Sequence, residues 1–336
     1  MRIGTTELTA DGLYFVAEAG INHNGDVDVA AELVEMAAQA GADAIKFQTL
    51  DADELVAGDD PAYEEIRSYE LSEADHRKLK ETAEHNGVDF LSTPFDCESA
   101  DLLADLGVPA FKVGSGEIDN HPFLRHVASF GRPLIVSTGM STRQEIADAN
   151  EVIRDVDPDA DVIFLQCTSA YPASMDDVNL RAMETIRETT GTLVGISDHT
   201  LEPHTPSFAV AAGAVVVEKH FTLDRDMEGP DHHMSLEPDE LRRSVSLATD
   251  ARRARGSAEK RRVAAEADNV EAFRKSLHAA RDLTAGTVLG EVDVSVLRPA
   301  TGLSPSFLDD VVGTRLTDDV SEGEPIIPDV LSQSPR

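Results

Sequence analysis

Eight short apolar runs, rich in β-branched residues, punctuate the chain as far as residue 217: Leu13–Ala17, Ala44–Phe47, Val88–Leu91, Ala110–Val113, Leu134–Val136, Val162–Leu165, Leu193–Ile196 and Val215–Val217. Stretches of helical period, such as Val29–Ala40 and Glu73–His85, lie between them. Strands alternating with helices predict βα units around a parallel sheet. Eight such units predict closure into a (β/α)8 barrel of the TIM type, with Glu237–Ala254 as the eighth helix. After Lys275 the texture changes to short apolar pieces divided by Gly286, Gly290, Gly302, Gly313 and Gly323. There Asp282–Leu289 is echoed by Asp319–Ile326 as strand, glycine turn and strand. The expected organisation is a barrel over residues 1–255, a linker over 256–275 and a small β-rich domain over 276–336, too small to be robust alone.

Composition narrows the setting. Hydrophobic residues make up 41% of the chain and charged residues 27%, enough apolar material for a large core, and no run approaches the ~18 apolar residues of a membrane span. Cys97 and Cys167 have no second pair or neighbouring histidine to suggest a disulfide framework or thiolate metal site. A cytoplasmic protein is expected. The net charge of −34 disfavours nucleic acid and anionic membranes as partners. Because the acidic excess is spread along the chain, it suggests a surface suited to a high-salt cytoplasm, where self-repulsion is screened. The basic run Ala251–Arg262 is read as a linker packing on acidic surface rather than as a nucleic-acid contact.

Active sites of such barrels sit where the strands end, and here those positions are rich in polar residues. The first run leads to Glu18 and the second to Lys46 and Gln48, which alternation places on one face. The third leads to Thr93, the fourth to Lys112 and Ser115, the fifth to Ser137. Lysines, hydroxyls and glycine-flanked amides at one mouth suit a phosphate and a carboxylate. The seventh and eighth runs end at His199 and His220, which can converge on one divalent cation such as Mn, Co or Zn. Asp231 is placed to orient an aldehyde or a metal-bound water, whereas His232 and His233 are expected on the surface.

Together these stretches resemble the N-acetylneuraminate (sialic acid) synthase family. The matching segments are residues 17–25, 46–49, 92–95, 111–117, 137–140, 167–172, 195–200 and 218–222, spread along nearly the whole barrel. The C-terminal segment resembles that family's antifreeze-like (SAF, β-clip) domain, with Arg298-Pro299-Ala300-Thr301-Gly302 as its substrate-contacting motif. The resemblance implies a homodimer with swapped SAF domains, in which Arg298 reaches the other subunit's sugar site. It also implies phosphoenolpyruvate binding by Lys46, Thr93, Lys112, Ser115, Ser137 and Ser197. The metal, Mn2+ with Mg2+ or Co2+ as alternatives, would lie on His199 and His220. The sugar would meet Gln48, Ser169, Tyr171, Asp231 and Arg298. Ser169 stands where several neuraminate-making members have Asn, which bears on the sugar rather than on the reaction.

The implied activity is that of a transferase joining phosphoenolpyruvate, N-acetylmannosamine and water to give N-acetylneuraminate and phosphate, with Glu18, Lys46, Lys112 and Asp231 in the catalytic group. Glu18 is assigned to proton handling, with an ion pair to Lys46 or Lys112 as its plainer role. Alternatives are a legionaminate, pseudaminate or 9-phosphate synthase, an aldolase forming a Schiff base on Lys46 or Lys112, and a non-catalytic carbohydrate- or ice-binding protein.

Overall fold

The computed structural model describes residues 1–333 and divides into two compact units, Met1–Gly256 and the chain from Ser257 onward. All eight expected strands form: β1 (Tyr14–Gly20), β2 (Ala44–Thr49), β3 (Asp89–Pro94), β4 (Phe111–Val113), β5 (Leu134–Ser137), β6 (Val162–Cys167), β7 (Leu193–Asp198) and β8 (Val216–His220). Except for β4, each continues past its apolar run at the C-terminal end, because the parallel ladder carries on into the polar residues. The hydrogen-bonded order is β3-β2-β1-β8-β7-β6-β5-β4, and β3 and β4 lie side by side at the seam.

Two periodicities build this unit. Residues of one parity, including Tyr14, Val16, Ala44, Leu91, Ala110, Ile135, Ile163, Leu165 and Val216, pack inside the barrel together with Ile3 and Leu8. Residues of the other parity, among them Phe15, Phe47, Phe90, Val136, Phe164, Ile196 and Val217, form the larger core beneath the helices. The helices α1 (Val27–Ala40), α2 (Glu73–Asn86), α3 (Cys97–Leu106), α4 (His121–Ala128), α5 (Arg143–Val156), α6 (Ala182–Thr190), α7 (Thr205–Ala212) and α8 (Pro238–Arg255) follow the strands in turn. Their ends are chemically marked. The Asp26 carboxylate accepts from the amides of Asp28 and Val29 at the start of α1, and Gly41 closes that helix at φ 84°, a conformation that favours glycine.

The basic run resolves into two parts. Arg252 and Arg255 belong to the last turn of α8 and donate to the carbonyls of Asp11 and Ala10, and positive charge at this end of a helix is favourable. The region expected as linker carries a helix, α9 (Ala267–Phe273), and falls within the second unit.

In that unit β9 (Ser276–Ala279) pairs antiparallel with β10 (Val294–Leu297) over a core that includes Leu277, Leu283, Leu289, Val311, Leu316, Val320 and Ile326. The internal echo has a structural meaning: the two copies pair with each other. Leu283 and Val320 exchange backbone hydrogen bonds at 2.9 Å each. Asp282 accepts from the Glu322 amide and Asp319 from the Ala285 amide, at 2.8 and 2.7 Å. Each aspartate thus caps the turn of the opposite copy.

Candidate active site

Inward parity continues to the strand ends and decides which polar side chains share the lumen. Glu18, Lys46, Gln48, Thr93, Lys112, Ser137, Cys167, Ser197, Glu218 and His220, with His199 just beyond β7, line one cavity of about 280 Å³. Ser115, Ser169 and Tyr171 line it from the loops. Twelve of the expected site residues therefore meet in one place: Glu18, Lys46, Gln48, Thr93, Lys112, Ser115, Ser137, Ser169, Tyr171, Ser197, His199 and His220. Asp231 lies beside them: a Cβ on Gly20 would sit 3.4–3.5 Å from Glu18, Gln48 and Asp231. Arg298 is in the second unit, exposed, with its guanidinium 5.5 Å from the centre of the Phe273 ring.

At the floor of the cavity is a buried charge layer. Lys46 Nζ lies 2.8 Å from Glu18 Oε2 and donates to Thr93 Oγ1 at 2.7 Å. Glu218 lies between the lysines, 3.8 Å from Lys46 and 3.6 Å from Lys112, and accepts from Ser197 Oγ at 2.9 Å. Burial pushes the Glu18 carboxyl up to about 7, with Glu218 adding to the rise and Lys46 opposing it. Burial acts on Glu218 in the same sense, but Lys112, Lys46 and the Ser197 hydroxyl overcome it and hold this carboxyl below its usual range. Burial lowers Lys112, against the pull of Glu218. The layer therefore sets two lysines against two carboxyls, one of which is drawn toward neutrality. Ser137 Oγ, Ser169 Oγ, Glu218 Oε2 and His220 Nδ1 are buried without hydrogen-bond partners. Buried polar groups in a native fold are normally hydrogen-bonded, and these four all face one cavity.

Glu218 was legible but missed: it shares parity with His220, two residues on. Gly139 is a second omission. A Cβ there would lie 2.1 Å from Ser169 Oγ and 2.9 Å from Ser115 Oγ, so only glycine lets these loops close on each other.

The two histidines are next neighbours in register, since Lys219 pairs with Asp198, and their ring centroids are 5.4 Å apart. His199 Nδ1 is 2.8 Å from the Thr168 carbonyl, which can only accept, so Nδ1 carries a proton and Nε2 is the nitrogen that the neutral ring offers as a lone pair. Tyr171 covers this ring at 4.3 Å between centroids, and Asp231 Oδ2 is 3.8 Å from His220 Nδ1. Among the described residues no three His, Cys, Asp or Glu side chains are grouped to hold a metal. Two imidazoles 5.4 Å apart between centroids at one cavity nevertheless fit an open cation site whose other positions would fall to water or substrate.

The expectation for His232 needs correction. It is fully buried, because Thr222 Oγ1 at 2.6 Å and Asn24 Oδ1 at 3.4 Å supply partners for its ring nitrogens. His233 is exposed as expected.

Fold and site together define a (β/α)8 barrel whose strand ends converge on one buried, lysine-lined polar cavity. The NeuB family model matches residues 33–260 and the SAF domain model residues 274–331, and the chain belongs to the NeuB family. The N,N'-diacetyllegionaminic acid synthase of Legionella pneumophila is 42% identical over 94% of this chain and 93% of that protein. Human N-acetylneuraminate-9-phosphate synthase is 34% identical over 95% and 92%. The crystal structure of N-acetylneuraminic acid (sialic acid) synthetase from Leptospira borgpetersenii, in complex with citrate, superposes with a TM-score of 0.77 at 32% identity, covering 81% of this chain and 95% of that one.

Proposed function

We propose that the protein condenses phosphoenolpyruvate with the open-chain aldehyde of an N-acetylated amino sugar. Carbon 3 of phosphoenolpyruvate forms the new bond to the aldehyde carbon, water adds at carbon 2, and the carbon 2 hydroxyl is retained as phosphate leaves. The observation that carries this reading is the buried layer of Lys46, Lys112, Glu18 and Glu218 beneath the partnerless Ser137 and Ser169 hydroxyls, in a chain of this family. Lys46 and Lys112, with Thr93, Ser115, Ser137 and Ser197, hold the phosphate and carboxylate. Preorganised charges of this kind stabilise developing negative charge without reorganising. Glu18 moves the proton of the attacking water. A divalent metal, Mn2+ in our reading, bound by His199 and His220 would polarise the aldehyde oxygen as a Lewis acid.

Gln48, Ser169, Tyr171 and Asp231 face the sugar. The 42% identity to a diacetyllegionaminic acid synthase, against 34% to the human neuraminate-9-phosphate enzyme, favours a diacetamido sugar. N-acetylmannosamine is the second reading. Phosphate release should require phosphoenolpyruvate, an N-acetylated sugar and Mn2+, and a panel containing both sugars and N-acetylmannosamine 6-phosphate should rank the diacetamido sugar first. Undiminished release in EDTA would remove the metal from the scheme. An imine trapped by borohydride with pyruvate would replace the scheme by Schiff-base chemistry.

We also place the protein in a salt-rich cytoplasm, on the strength of its charge of −34. Its melting temperature should climb as KCl is raised from low to molar concentration, because screening relieves self-repulsion. A flat or falling curve would contradict that setting.

A further inference from the structure

Strand alternation that turns His199 and His220 into the lumen turns their neighbours Asp198 and Lys219 the opposite way, into the wall between β7, β8 and the helices. Both side chains are only 1% exposed, and Lys219 Nζ lies 2.7 Å from Asp198 Oδ2. The same ammonium donates to the Thr200 carbonyl and, at 3.3 Å, to Thr200 Oγ1. Asp198 in turn accepts from the Thr200 amide at 3.0 Å, and Thr200 Oγ1 donates to Thr205 Oγ1 at 2.9 Å, at the start of α7. The residues on both sides of His199 are thus tied to the residue preceding His220, across a register in which Lys219 and Asp198 are direct partners.

We infer that Lys219, with Asp198 and Thr200, is a positioning clamp that sets the spacing of His199 and His220 and so tunes the affinity of the cation site. A buried ion pair is a poor source of stability, since apolar residues of similar volume often serve as well or better. Its distinctive product here is geometric: it fixes the backbone at residues 198–200 against residue 219, and through it the two imidazoles. Groups that orient ligands from behind affect metal affinity by about 10- to 100-fold.

The inference rests on the cation site proposed above, and its test separates the two. Mn2+ binding is measured by titration calorimetry and by the loss of the free-ion EPR signal on the full-length parent, the charge-neutral double variant Lys219→Met/Asp198→Asn, and Thr200→Val. Tyr14→Phe serves as a stability control, because it breaks a comparable bond to Asp89 at the first residue of β1. The double variant should bind Mn2+ about 10- to 100-fold more weakly, with Thr200→Val intermediate. Turnover should return when Mn2+ is raised to match the weaker affinity. Tyr14→Phe should lower the melting temperature yet leave Mn2+ affinity unchanged. If the parent binds and the double variant, folded by circular dichroism, binds equally well, the clamp is overturned; should the double variant not fold, equal binding by the single variant Lys219→Gln overturns it. A parent that binds no Mn2+ overturns the cation site and the clamp together.

Discussion

Glu18→Gln should lower turnover by about 10²- to 10⁴-fold, the usual contribution of a positioned proton-transfer group, while KM for phosphoenolpyruvate changes little. The reasoning is geometric. Glu18 is the only carboxyl of the charge layer drawn toward neutrality, because it is buried and faces Glu218, whereas Glu218 has Lys112, Lys46 and the Ser197 hydroxyl to stabilise its charge. Glutamine keeps the shape and an acceptor for Lys46 but cannot take a proton. In the parent, kcat/KM should fall as pH drops through about 7, where Glu18 becomes protonated, and that limb should be missing from the residual activity of the variant. A variant turning over at the parent rate would reduce Glu18 to an ion-pair partner of Lys46.

The same shift has a stability consequence of opposite sense. Folding raises the Glu18 carboxyl from its ordinary 4.5 to about 7, so the folded state disfavours its ionisation. The penalty is absent below 4.5, grows between 4.5 and 7, and persists above. Relative to the parent, the glutamine variant should therefore melt higher at pH 8 than at pH 4. A group tuned for chemistry in this way weakens the fold at the pH where it works.

How much of this was legible in the sequence follows from which interactions are local. Strand period is a property of neighbouring residues, and it located all eight barrel strands and, at or just past their ends, nine residues of one cavity, while Ser169, Tyr171 and Ser197 came from the family resemblance. Parity alone would also have added Glu218, whose partners Lys46, Lys112 and Ser197 lie on three other strands. The burial of His232 was not legible, because its partner Asn24 is more than 200 positions away and only the closed barrel brings them together. Gly139 is similar: a Ser-Thr-Gly turn gives no sign that Ser115 and Ser169 pack against its missing side chain. The pairing of the two C-terminal repeats was half legible, since the echo was visible but the exchange of aspartate caps needs both copies in contact.

Arg298→Ala should be almost as damaging as loss of Glu18, lowering kcat/KM by about 10²- to 10³-fold, the range for removing one well-aimed hydrogen-bond donor from an active site. The effect should fall on the sugar rather than on phosphoenolpyruvate. Arg298 directly follows β10, in an exposed stretch that includes Leu297, 45% exposed, and the same unit leaves Val292 84% exposed. Such a surface suits burial against a second molecule. We propose a homodimer in which Arg298 of the partner subunit completes each barrel mouth, and this has a consequence that no single-chain site shares. Glu18→Gln and Arg298→Ala should each be nearly inactive alone, but a mixed dimer would contain one barrel with an intact Glu18 that receives an intact arginine from the other chain. Random reassortment of equal amounts makes about half of the dimers mixed, each with one good site of two, so refolded or co-expressed mixtures should recover roughly a quarter of parent activity. Recovery near zero, with dimers confirmed by sedimentation, would place Arg298 in its own subunit's site, and parent-like activity of Arg298→Ala alone would put it outside the site.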